Sequence, residues 1–140
     1  MKKIIRLFIL IFSVIFISMI NNTNVKAEEA ISRQIILSQG ARIRTDGNVA
    51  LQFEAKVSGL VDGDKVGFMY CPGKISKAIL LHADNAVQKT LKDYNGTILF
   101  SITNIPKEEY LTDYTVCAYI QNEDLITTDV ITRSVMEVAK

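Results

Sequence analysis

Few residues in this chain are of types that do chemistry, and their spacing limits each of them. His82 is the only histidine, with Asp84 two positions on. A serine or cysteine hydrolase could use such a pair as base and orienter. But no serine sits in a tight strand-to-helix turn, and Cys71 runs straight into Pro72. Glu108, Glu109 and Asp113 supply carboxylates for glycoside cleavage, yet they cluster after Pro106, where a solvated loop is expected. Asp62-Gly63-Asp64 offers two carboxylates to a cation, well short of the six to eight oxygens that calcium takes. Asp and Gly are also what an ordinary turn requires. No metal site and no cofactor is expected, and a small secreted hydrolase is the alternative reading.

Residues suited to recognition are more promising. Arg42 and Arg44 share one face of a strand, opposite Ala41 and Ile43. Tyr70 and Tyr119 are aromatic groups in strand-like runs, able to stack on a sugar ring or anchor a protein partner if they face outward. In the run 114–120, Tyr114, Val116, Ala118 and Ile120 form the apolar face, which leaves Tyr119 on the other side. Cys71 and Cys117 form an even cysteine count, which permits a disulfide outside the cytoplasm; two small apolar thiols that never meet are the alternative.

The compartment follows from the first 27 residues. Lys2, Lys3 and Arg6 precede an apolar run from Leu7 to Ile20, and a polar stretch ends at Ala27, with Val25 and Ala27 at the −3 and −1 positions of a cleavage site. The apolar run is about 14 residues, against the roughly 20 that span a bilayer. The expectation is a cleaved signal peptide (1–27), a secreted or surface-associated product and no stable membrane insertion after cleavage. Four of the 16 basic residues and none of the 15 acidic ones lie in the leader, so cleavage takes the net charge from +1 to −3. The remaining basic residues are scattered, which argues against a nucleic-acid partner.

Residues 28–140 suffice for one domain. Val49 to Val57 alternates apolar and mostly polar side chains with period two, the mark of a half-buried strand. Asp46-Gly47-Asn48 before it makes Ala41 to Thr45 the other arm of a hairpin. Further strands are expected at Lys65–Cys71, Thr97–Asn104, Tyr114–Ile120 and Leu125–Ile131, with Asn95-Gly96 as a hairpin turn before the second of these. The stretch 75–94 is mixed: Val87, Leu91 and Tyr94 fit a short helix starting near Asp84, and Ile79-Leu80-Leu81 a short edge strand. Ser134-Val-Met-Glu137 has the form of a capping box, predicting a short C-terminal helix. Six or seven strands with turns between them, and no βαβ alternation, predict an all-β, immunoglobulin-like two-sheet antiparallel β-sandwich.

Several stretches together resemble a β-sandwich module of large surface proteins in Gram-positive bacteria. They are Gly40-Ala-Arg-Ile-Arg44, Ala50-Leu-Gln-Phe53, Val66-Gly-Phe-Met-Tyr-Cys-Pro72, Ile105-Pro106 followed by Tyr110, Tyr114 to Ile120, and Arg133 to Ala139. The resemblance implies a fold and a surface setting and no reaction. The expected function is a non-catalytic binding module for a protein or carbohydrate at the cell surface, with Arg42, Arg44, Tyr70 and Tyr119 as candidate contacts. A structural wall or matrix component is a further alternative.

Overall fold

The computed structural model describes residues 32–45, 48–91 and 96–140. The expected leader, Asp46-Gly47 and Asn95 lie outside them, as does Tyr94. The order of elements is β1 (Gln34–Arg44), β2 (Ala50–Ser58), β3 (Lys65–Pro72), α1 (Lys77–Leu80), β4 (Val87–Leu91), β5 (Gly96–Ile102), a 3-10 turn (Lys107–Glu109), β6 (Tyr114–Gln121), β7 (Leu125–Thr127), β8 (Ile131–Arg133) and α2 (Val135–Val138). Sheet A has the order β1-β2-β5; sheet B has β4-β3-β6, with β7 and β8 following one another along the far side of β6. Every strand-to-strand pairing is antiparallel.

Period two explains what each strand buries. Leu51, Phe53, Ala55 and Val57 of β2 point inward, joined by Ile98, Phe100 and Ile102 of β5 and by Ile35 and Leu37 of β1. Val66 and Phe68 of β3 meet them from sheet B, with Tyr114, Val116, Ala118 and Ile120 of β6. Phe100 sits at the centre, its ring centroid 5.1 Å from Phe68, 5.4 Å from Tyr70 and 6.5 Å from Phe53. One continuous apolar layer thus separates the two sheets, and burial of this area is the main stabilising term. The 3-10 turn adds a tie below it: Tyr114 donates to Glu109 at 2.8 Å, and burial with this carboxylate raises the phenol pKa to about 12.

Sequence and structure part company in four places. β1 starts at Gln34, well before Ala41, and carries an irregularity between Leu37 and Ala41 that carries its alternation past Gly40. In the stretch 75–94 the elements are reversed: the helix is Lys77–Leu80 and the strand is Val87–Leu91. Ser76 caps that helix by accepting from the Ile79 N–H, a local signal that outweighs the apolar spacing around Asp84. β4 and β5, the strands before and after residues 92–95, form no hairpin, because β4 pairs with β3 in sheet B and β5 with β2 in sheet A. The final strand is split into β7 and β8; between them Thr128 holds to β6, donating its N–H to the Ala118 carbonyl at 3.0 Å while its side-chain hydroxyl accepts the Ala118 N–H at 3.1 Å. The C-terminal helix is where the capping box predicted it, with Ser134 accepting from the Glu137 N–H.

Candidate interaction surface

The four candidate contacts do not come together. Arg42 and Arg44 stand exposed on the outer face of sheet A. Tyr70 points the other way, into the sandwich against Phe100. Tyr119 does face outward from sheet B, as the alternation predicts, yet it is fully buried. Its neighbour explains why. Gly67 is its register partner on β3, and the tyrosine ring lies over the space a side chain there would fill. A methyl group at Gly67 would overlap the Lys89 carbonyl oxygen and stand 2.6 Å from the Tyr119 hydroxyl oxygen. That hydroxyl closes the packing with a 2.8 Å hydrogen bond to Thr90 on β4. The Val-Gly-Phe spacing was the available signal: a glycine at an outward position in a strand invites a cross-strand aromatic.

Beside Tyr119, much of the outer face of β3 and β6 is covered as well. Residues 72–86 fold back over it, and Leu80 of α1 packs with Cys71 and Cys117, flanked by Met69, Ile75, Ala86 and Val130. Thr115 pins the return, donating to the Gly73 carbonyl at 2.7 Å and accepting the Ile75 N–H at 3.2 Å. Cys71 and Cys117 are free thiols here. Cys71 lies opposite Thr115 and Cys117 opposite Met69, so the two are diagonal rather than facing each other. Burial pushes the Cys117 thiol up to about 11, despite the Lys77 ammonium nearby, so it carries almost no thiolate at neutral pH.

Of the remaining chemical groups, Asp64 and Glu109 are tied into the fold. Asp64 is buried and its oxygens are spoken for, accepting from the Val61 N–H at 2.9 Å, from Arg33 at 3.0 Å and from Asn122 at 3.1 Å. The Val61 N–H, with Arg33 and Asn122, holds its carboxyl below the ordinary range. Arg33 also grips Asp124 at 2.6 and 2.8 Å, so one guanidinium ties the start of β1 to the entry of β3 and to the β6–β7 turn. The Asp62-Gly63-Asp64 turn therefore already holds a cation, supplied by the chain itself. His82 is exposed just past α1, and Glu109 is engaged by Tyr114. Among the described residues no group of three His, Cys, Asp or Glu is placed to hold a metal ion, and no helix is long and apolar enough to cross a membrane.

Among the described residues, the back of sheet A stays open. Its strands present Ile36 and Arg42 from β1, Gln52, Glu54 and Lys56 from β2, and Leu99 from β5. Ile36 is 54% and Leu99 49% exposed, and Arg42 lies 3.8 Å from Glu54 with its side chain 77% exposed. Where β1 bulges, a shallow depression opens, lined by Ser38, Gly40, Ala41, Arg42, Glu54 and Leu99. Apolar side chains among charged ones on a sheet can make a contact patch. Set against known proteins, the chain matches no family model, no curated protein and no solved structure.

Proposed function

We propose that this chain is an exported, non-catalytic interaction module of immunoglobulin-like architecture that recognises a protein at a cell surface through the outer face of sheet A. Export rests on the basic, apolar and polar order of residues 1–27. The architecture rests on strand order. β1, β2 and β5 correspond to strands A, B and E, and β3, β6 and β7/β8 to C, F and G, with β4 moved to the edge of the second sheet.

The observation that carries the functional reading is the contrast in cover. Sheet A offers Arg42 with the exposed Ile36 and Leu99, and arginine beside apolar anchors is a composition favoured at interfaces. A protein fits better than a glycan, because of the aromatic groups suited to sugar stacking Tyr119 is buried and Tyr70 is half-buried with its ring against Phe100. The test is capture from host, wall and secreted proteins, with a glycan array alongside, by the form that accumulates when the complete chain is expressed. Binding should fall on Arg42→Glu and Ile36→Asp and persist on Leu111→Asp, at an exposed leucine outside sheet A. Binding indifferent to both sheet A changes, or no bound protein at all, would sink the reading.

A further inference from the structure

The four sheet edges are not defended alike. A bare edge strand offers backbone donors and acceptors to any passing strand, and proteins normally blunt it with charge, bulges, shortness or cover. β1 is interrupted between Leu37 and Ala41, and the Arg133 guanidinium donates to the Gln39 carbonyl at 2.6 Å beside that irregularity. β4 is five residues long and carries Lys89. β7 and β8 are three residues each, with Thr128 and Asp129 between them. β5 has none of these devices. It runs seven residues as Gly-Thr-Ile-Leu-Phe-Ser-Ile, without charge or proline. Its register to β2 is unbroken from Leu51↔Ile102 to Val57↔Gly96, and among the described residues β2 is its only strand partner.

The order of side chains along β5 says what would pair with it. The sequence is close to a palindrome in polarity about Leu99. Set antiparallel to a second copy with Leu99 on the two-fold axis, the inward Ile98 meets the inward Phe100 of the other copy. The outward Thr97 meets the outward Ser101, and Leu99 meets its own equivalent. From Thr97 to Ser101 every cross-strand pair then matches like with like, and no charge faces another, which is what an isologous interface requires. Exposure of Leu99 to 49% on a sheet with polar neighbours has a use in this arrangement, since the two leucines cover each other. We infer that β5 pairs with β5 of a second copy, so that two β1-β2-β5 sheets join into one continuous six-stranded sheet. The inference goes beyond the binding reading and does not rest on it.

The experiment takes the form that accumulates from the complete chain and measures its mass by sedimentation equilibrium up to about 0.1 mM. A reversible dimer is expected. Leu99→Lys would set two ammonium groups opposite each other and weaken the dimer by about tenfold or more, at unchanged circular dichroism. Leu111→Lys, a change at a 79% exposed leucine away from β5, would leave it intact. The register has its own test. Under mild oxidation Leu99→Cys should cross-link to itself, whereas Thr97→Cys should cross-link only when mixed with Ser101→Cys. A monomer throughout that range, or a dimer indifferent to Leu99→Lys and lacking these cross-links, overturns the inference. Arg42→Glu and Ile36→Asp lie on β1, away from the β5 edge, and should leave the dimer intact, so partner capture by these two variants reports separately on the proposed function.

Discussion

The two sheets meet over one core but turn different backs outward. Behind sheet B lies a second, smaller core. Residues 72–86 cover Cys71 and Cys117 with Leu80, and Tyr119 fills the place left by Gly67. Behind sheet A only solvent stands over Ile36, Arg42 and Leu99 among the described residues. A sandwich needs one buried face per sheet to fold, so the cover on sheet B is extra stability, and the bare back of sheet A is free for contact. Strand β6 records the difference: every residue from Tyr114 to Ile120 is buried, on both faces, whereas β2 alternates strictly from Leu51 to Val57.

If the contrast is real, matched truncations should differ sharply. Leu80→Ala empties a fully buried site in the second core and should cost about 2–5 kcal/mol in denaturant unfolding, against changes within about 0.5 kcal/mol for surface substitutions. Gly67→Ala forces a methyl group against the Lys89 carbonyl and the Tyr119 ring, at about 1–3 kcal/mol, and hydrogen exchange should show β4 loosening first. Tyr119→Phe keeps the ring over Gly67 and removes only the hydrogen bond to Thr90, so a loss of about 1 kcal/mol is expected. Arg42→Ala on the open face should leave stability within about 0.5 kcal/mol, because its pairing with Glu54 is long and exposed. A cost for Arg42→Ala equal to that for Leu80→Ala would erase the distinction.

The sequence reads well where one face is wet and badly where both are buried. The alternation of Val49 to Val57 marks β2 almost to the residue, and Ser134 marks the last helix, because each signal is local. The reading fails at Tyr119. Alternation tells which way a side chain points but not whether a distant segment returns to cover it, and the return of residues 72–86 is fixed by Thr115, forty positions away in sequence from the Ile75 N–H it accepts. Tyr70 fails for a simpler reason: its inward direction follows from Val66 and Phe68 at the same parity, but a phenol suggests a surface. The misplaced hairpin at Asn95-Gly96 has the same origin, since a tight turn signal cannot report that the chain changes sheets across it. The outward direction of Arg42 and Arg44 is legible because Ala41 and Ile43, at the opposite parity, pack against the core.

The contrast can be read most directly through thiols. Cys71 and Cys117 sit under the cover of sheet B, and Arg42→Cys would place a third on the bare back of sheet A. In a single pulse of a thiol reagent at neutral pH, the introduced cysteine should react at the rate of a free thiol. The two native ones should stay silent until denaturant unfolds the chain, and then both should react. Rapid labelling of Cys117 in the folded protein, or protection of the cysteine at position 42 in the monomer, would contradict the account.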